Sequence, residues 1–479
     1  MASFRLDRLG RGQVALLRAL ARVAGPRRRL ALVGGVVRDC RLGRPAPADL
    51  DVAVEAGALD LARRVAARVG AAFVPLDPER GTARVVAGPL RLDLSDFRAP
   101  TLEGDLAARD YTVDALAVPL HDLLRDGRAR VVDPTGGLDD LAARRLRPPD
   151  RRVLADDPLR ALRGVRLEAA LGLRLTRATA AAIRAVAPAL GGVSAERVRD
   201  ELLLLLGLPA AARALRRADA LALLAVVLPE VEAMRGCAQP APHRFDVLEH
   251  SLRAVAGADR LLPRLASLRP WGGELGAHLA RDLGGGVTRG TVLKLAALLH
   301  DVAKPETRRE IGGRVRFFAH DVVGATRARA FASRWRLPAR AAAVLERLVR
   351  QHLRPMHLAA SGRLTRRARH RFYRDLGEDA RDLLLLALVD AAAVTGASPL
   401  ATWRRAALLH DLLGGFAEEH AAAAAPPLVR GEDVMARFGL PPGPAVGRLL
   451  GRAREAQALG LVRTREEALA YLDSLPGGP

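Results

Sequence analysis

Cysteine, lysine and long apolar runs are all scarce in this chain of 479 residues. Two cysteines, Cys40 and Cys237, are too few for a disulfide framework or a thiolate zinc site. They suit a reducing compartment, so the cytoplasm is expected. The N-terminal stretch carries Arg5, Asp7, Arg8 and Arg11 and lacks the apolar core of a signal peptide. No apolar run approaches membrane-spanning length; the leucines at 202–206 stop at Gly207 and Pro209. Lys294 and Lys304 are the only lysines, and arginine supplies the rest of the 76 basic residues. Acidic residues do not keep pace, and the net charge of +23 marks a protein that attracts polyanions, RNA foremost. Half the residues are apolar, and the length predicts roughly two to four domains.

The most informative stretch begins at Leu30. The run Leu30–Val33 reads as a buried strand that stops at Gly34-Gly35. Two glycines let a backbone approach a ligand closely, and the following Val36–Cys40 segment can turn free N–H groups toward a phosphate. Residues 49–55 alternate as a second strand: Leu50, Val52 and Val54 on one face, Asp49, Asp51 and Ala53 on the other. Adjacent carboxylates on one strand face repel each other and call for a counter-ion. Mg²⁺ takes oxygen ligands and shares them with substrate phosphates. A plain acidic edge face is the competing reading of D-x-D by itself. The glycine pair with Arg38-Asp39 upstream turns the balance to a metal–nucleotide site.

These motifs, GGVVRD followed by DLDVAV, resemble the head of the class II tRNA nucleotidyltransferases and bacterial poly(A) polymerases, within the DNA polymerase β superfamily. The resemblance implies that Asp49 and Asp51 hold Mg²⁺, that Gly34, Gly35 and Arg38 bind a triphosphate, and that Asp93 is a third carboxylate. Arg98 resembles the family's strand-end arginine. In the stretch 107–117 (AARDYTVDALA), Arg109 and Asp110 match residues that hold the sugar. Here Ala108 replaces the family's first arginine and Asp114 its asparagine. Residues 156–167 (DDPLRALRGVRL) resemble the family's base-selecting element, with Asp157 and Arg160 reading cytosine and adenine and Arg163 one turn further on. The logic is chemical: both bases show an amine beside a ring-nitrogen acceptor, whereas guanine and uracil show a keto oxygen that Asp157 would repel. The SAERVRDE helix start at 194–201 is expected to be structural.

From Phe245 the vocabulary changes. His250, His300-Asp301 and Asp390 repeat the H…HD…D order of the HD phosphohydrolase superfamily, and His320 and His352 resemble the extra ligands of its two-metal members. Nitrogen and oxygen donors from several helices suit a divalent metal. A lone histidine in an apolar helix is more often a core residue; here the full set argues otherwise. Lys304, just after His300-Asp301 in a chain that otherwise uses arginine, points to a compact ammonium beside a phosphate.

The expected architecture is α+β: a nucleotidyltransferase α/β head (1–140), an all-α neck and body (141–235), an HD domain (236–400) and a C-terminal helical tail (401–479). Residues 1–29 read as one amphipathic helix and a basic turn, Gly272–Gly286 as a loop or insertion, 421–427 as a linker, and residues 363–374, with Arg366, Arg367, Arg369 and Arg371 beside Phe372 and Tyr373, as an RNA-contacting patch. The expected activity is template-independent addition of CMP and AMP from CTP and ATP to the 3′ end of tRNA, with a phosphohydrolase activity in the HD domain. A partial enzyme adding only CC or only A, a poly(A) polymerase, and an RNA-binding HD phosphohydrolase with an inert head are the alternatives.

Overall fold

The computed structural model describes residues 2–362, 364–417, 421 and 425–475. The chain forms two compact units, Met1–Glu201 with Arg217–Val227, and Leu202–Arg216 with Leu228–Pro479.

The first unit opens differently from the single helix expected. Ser3–Arg5 is a strand, β1, and α1 spans Arg11–Ala24. Phe4 is the reason: it is buried between two exposed neighbours, and the strand pairs with β8 (Arg128–Arg130). The main sheet uses β2 (Leu30–Val33), β3 (Asp49–Val54), β4 (Ala72–Asp77), β5 (Thr82–Ala87), β6 (Leu90–Asp96) and β7 (Ala117–Pro119), in the order β4-β5-β6-β3-β2-β7. β3 and β6 run parallel; the other neighbours are antiparallel.

Period-two alternation sorts the two faces. Leu50, Val52, Leu92 and Leu94 are fully or nearly fully buried, and the helix Ala58–Val69, with Leu61 and Val65, packs against β4, β5 and β6. Each such aliphatic side chain contributes about 1.5–3 kcal/mol on leaving water. The opposite face is acidic only at one end. Ala31, Val33, Ala53 and Ala117 form a small core there with Leu106, from the helix Leu102–Ala107. Ala53, expected on an open acidic face, is therefore completely buried, and Asp49 and Asp51 mark where the cover stops.

Beyond the sheet the first unit is helical, with Leu159–Leu171 and Arg177–Val186 joined to the sheet end by a short parallel pair, β9 (Arg145–Leu146) and β10 (Arg174–Leu175). The second unit is helical except for a ribbon of β11 (Arg308–Ile311) and β12 (Arg314–Phe317). Its helices Val247–Leu261, Arg289–Leu299, Ala339–Gln351 and Ala380–Thr395 pack on one another and frame one site.

Two expectations are corrected here. Gly272–Leu279 is a helix, not a loop: Leu275 and Leu279 face inward, and His278 meets Asp382 at 2.6 Å. The arginine-rich stretch from 363 keeps no aromatic surface, because Phe372 and Tyr373 are buried in the core. Arg367 and Arg371 close instead on the buried Glu455, at 3.1 and 2.8 Å. Arg363 and residues 422–424 of the expected linker lie outside the described residues. Among the described residues, no helix is long and apolar enough to cross a membrane.

Candidate functional site

The first site lies at the uncovered end of the sheet. Asp51 pairs in register with Val33, the last residue before the glycine turn, on one side and with Asp93 on the other. Gly34 sits at φ 72°, ψ −134°, a conformation that side chains rarely tolerate. A Cβ there would lie 3.6 Å from Arg109 Nη1 and 3.7 Å from Asp51 Oδ2. The glycine thus forms a floor between an arginine and a carboxylate. Burial, then the charge of Asp93, followed by Asp114 and Asp49, lifts the Asp51 pKa to about 6, with Arg109 pulling the other way. Asp49 keeps Arg91 at 3.6 Å, so Asp51, crowded by like charge, is the group that a divalent cation would relieve. On this donor chemistry Asp49 and Asp51 fit Mg²⁺.

The other carboxylates around this site each have an arginine, and the sequence does not reveal most of these partners. Asp93 receives both Nε and Nη2 of Arg84, at 2.7 and 2.8 Å. Asp105, 1 % exposed, takes two hydrogen bonds from Arg109 at 3.2 and 3.1 Å and fixes its direction. Arg38 spends its Nε on Asp39 at 2.9 Å and Nη1 on Asp114, while Nη2 stays over Gly35, 3.3 Å from where a Cβ would be. Asp114 is thereby a counter-charge for Arg38; burial pushes its pKa up and Arg38 opposes this. Arg98 has no carboxylate partner for its guanidinium among the described residues. Burial and the nearby charges of Arg109 and Arg160 lower its pKa, as in a cluster shaped for an anion.

A second layer joins 107–117 to 156–167. Tyr111 is fully buried and its hydroxyl donates to the Arg160 carbonyl at 2.8 Å. It reaches that carbonyl only because residue 164 is glycine: a Cβ on Gly164 would fall 1.9 Å from the tyrosine oxygen. Asp110 accepts from Arg163 at 2.9 Å and from the Tyr111 N–H at 3.0 Å. Burial alone would raise its pKa; the Arg163 charge overrides this and holds Asp110 at about 2. Asp157 accepts from Arg197 at 2.7 Å, with Arg160 at 3.9 Å, and Arg160 itself donates to the Val153 carbonyl at 3.1 Å. Arg197 comes from the segment expected to be purely structural. Its partner lies 40 residues away, so no local pattern announces it.

The second site is deeper. His250, His300 and Asp390 converge as one group of ligand atoms and Asp301, His320 and His352 as another. Asp301 stands between them, Oδ2 at 3.2 Å from His300 Nε2 and Oδ1 at 3.3 Å from His320 Nε2. Three imidazoles are oriented by backbone carbonyls at their Nδ1 atoms: Ala297 for His300 at 3.0 Å, Phe317 for His320 at 2.9 Å, Val349 for His352 at 2.7 Å. A carbonyl only accepts, so each Nδ1 carries the proton and each Nε2 presents a lone pair. Yet His320 and His352 bring their Nε2 atoms to 3.2 Å, and His250 and His300 to 3.3 Å. His250 Nε2 also has Asp390 Oδ1 at 2.9 Å, but the facing lone pairs of His320 and His352 call for a cation between them. Without one, burial disfavours a charged His300, but Asp301 and Asp390 draw its pKa up to about 9. The donor set fits divalent metal, which His250, His300 and Asp390 on one side and Asp301, His320 and His352 on the other would hold.

At the rim, Lys304 meets Asp301 Oδ2 at 2.7 Å and Gln239 Oε1 at 2.6 Å. Gln239 and His243, whose ring lies 5.2 Å from that of His250, belong to a Pro-rich loop that gave no signal in the sequence. Lys294, by contrast, is a buried structural ammonium, bound to Asp259 at 2.7 Å and the Leu208 carbonyl at 2.6 Å.

Comparison with known proteins places this geometry. Residues 30–147 match the Poly A polymerase head domain, 172–235 the probable RNA and SrmB-binding site of polymerase A, and 247–393 the HD domain. The chain is 40% identical to the A-adding tRNA nucleotidyltransferase of Deinococcus radiodurans, over 92% of this chain and 94% of that one. It is 38% identical to the CC-adding enzyme of Thermus thermophilus, over 93% of each. Its fold matches a CCA-adding enzyme in apo form with TM-score 0.63 at 18% identity, over 99% of both chains. Carrying the glycine-floored carboxylate site and matching these relatives along more than nine-tenths of its length, the chain belongs to the tRNA nucleotidyltransferase family.

Proposed function

We propose that the head adds CMP and AMP from CTP and ATP to the 3′ end of tRNA, releasing pyrophosphate. The observation that carries this is the pair Asp49–Asp51 at the open end of the sheet, with Gly34 as a floor and Arg109 facing it. A divalent cation at the two aspartates would supply charge neutralisation for the phosphates and acidify the attacking 3′-hydroxyl. The residues of the chain do the rest. Arg98, Arg109 and the free Nη2 of Arg38 receive the triphosphate, and Gly34 and Gly35 let it lie against the backbone. Asp110, kept ionised by Arg163, accepts from the ribose. Asp157 accepts from the base amine and Arg160 donates to the ring nitrogen, both braced by Arg197 and by the Tyr111–Gly164 contact.

A second reading, that only C or only A residues are added, is favoured by the A-adding and CC-adding relatives that match along nearly the whole chain. Supplying tRNAs that end before C, after CC or after CCA with each labelled nucleotide separates the two. Incorporation of both nucleotides onto the shortest tRNA supports full CCA addition; a stop after CC, or activity only on the CC-ended tRNA, supports partial addition. No incorporation onto any of them overturns both. For the HD site the facing Nε2 atoms support a two-metal phosphohydrolase acting on a phosphate ester, read out as phosphate release dependent on His300.

A further inference from the structure

The β11–β12 ribbon rises from the rim of the histidine site. Lys304–Thr307 leads into it, and Phe317, which ends it, gives its carbonyl to His320. The Lys304 ammonium also lies 5.5 Å from the centre of the Phe317 ring. The ribbon is therefore fixed to the histidine site at both ends.

Its cross-strand partners are Arg308 with Phe317, Arg309 with Arg316, Glu310 with Val315 and Ile311 with Arg314. Alternation puts Arg309, Ile311, Arg314 and Arg316 on one face. All four are exposed, Ile311 at 57 %, whereas Val315 and Phe317 on the other face are partly covered. Two arginines thus stand directly opposite each other, an arrangement that costs stability in a ribbon. Nothing nearby compensates it. Arg314 and Arg316 meet no carboxylate among the described residues, and Arg309 donates only to the Arg308 carbonyl, at 2.9 Å. The ribbon's one acid, Glu310, lies on the other face, 3.8 Å from Arg308. Phe318, just past the ribbon, is 54 % exposed.

Three unpaired cations, an exposed aliphatic and an exposed aromatic in a row form a surface for single-stranded nucleic acid: guanidinium groups for phosphates and apolar groups for base faces. We infer that this ribbon holds the single-stranded 3′ end of an RNA and directs the histidine site to the terminal phosphate of a polynucleotide in preference to free nucleotides. The inference rests on the phosphohydrolase reading of the HD site and adds its substrate class. The step is hydrolysis: water oxygen bonds to phosphorus, the P–O3′ bond breaks, and the 3′ oxygen takes a proton, leaving a hydroxyl end and inorganic phosphate. Water is the sole co-reactant.

The test uses the full chain, supplied with Mn²⁺, Co²⁺ or Ni²⁺ in separate reactions. One substrate is a 3′-phosphorylated single-stranded RNA with 4-thiouridine as last nucleotide; the other is cytidine 3′-phosphate. The variant is Arg309→Ser/Arg314→Ser/Arg316→Ser, all surface positions. Its RNA KM should rise at least tenfold, with turnover of cytidine 3′-phosphate unchanged. The salt dependence of log KM should fall by about two, as three phosphate contacts are lost. Photo-crosslinks from the 4-thiouridine should map to the peptide carrying Ile311 and Phe318, and vanish in the variant. An unchanged KM with crosslinks elsewhere overturns the ribbon while leaving the hydrolase reading intact. Arginine-dependent crosslinks without turnover of either substrate reject the hydrolase reading and keep the ribbon as an RNA surface.

Discussion

The two sites solve opposite electrostatic problems. At the sheet end most carboxylates have an arginine: Asp93 has Arg84, Asp105 has Arg109, Asp110 has Arg163, Asp114 has Arg38. Against that background the group that stands out is Asp51, crowded by like charge. In the helical unit the anomaly is reversed: the imidazole lone pairs of His320 and His352 face one another beside Asp301. In both, the functional candidate is the place where the fold leaves its own charges uncompensated, and the paired groups around it set position.

The sharpest way to break the comparison is to cross it. Asp51→Ala is expected to lower nucleotide incorporation at least 10³-fold while leaving the metal content of the histidine site unchanged. His300→Ala should strip that metal and leave incorporation intact. Incorporation assays together with elemental analysis decide, and a variant that loses both properties would mean that the sites are not independent.

Gly164→Ala probes the packing beneath the base-reading residues. The added methyl meets the Tyr111 hydroxyl, so a stability loss of about 3 kcal/mol is expected by denaturant titration. Displacement of Arg160 should blur the choice between cytosine or adenine and the other bases. A stable variant with unaltered base choice would remove Gly164 from the account.

How far the sequence could lead is clear from these residues. Asp49-x-Asp51 and the histidine set are legible because strand alternation and a recognisable order place them, and the structure gathers the histidine set into two groups of ligand atoms. Arg84, Asp105 and Arg197 were not legible. Each is one charge among 76 basic and 53 acidic residues, and its meaning comes from a partner fixed by tertiary contact. Phe372 and Tyr373 misled for the same reason: aromatics beside arginines look like an RNA surface until burial is known.

Smaller effects refine the contrast. Asp110, held at about 2 against an ordinary value of 3.8, binds fewer protons folded than unfolded as the pH falls. Its contribution is complete above about pH 4 and lost as the pH drops through about 2. Arg163 is 37 % exposed at its side chain and keeps Glu201 at 3.6 Å, so Asp110→Asn should cost only about 1–2 kcal/mol at neutral pH. The variant's acid-unfolding curve should be correspondingly flatter; an equally steep acid limb would show that the pair contributes nothing.

Smallest of all is the effect of Asp114→Asn. Removing a buried negative charge beside the triphosphate region should lower the KM for nucleotide a few-fold, at about 1 kcal/mol of stability from the weakened hold on Arg38. An unchanged or higher KM would place Asp114 outside the electrostatics of the site.

The scarcity of lysine has a practical consequence. Both ammonium groups are sequestered, Lys294 at 3 % and Lys304 at 7 % exposure. An acylating reagent therefore finds no lysine on the folded surface, and every modified lysine counts a molecule that has opened. Since one amine sits beside the histidine cluster and the other against Asp259, mass spectrometry of the two labels would time local opening at the rim separately from loss of the helical core.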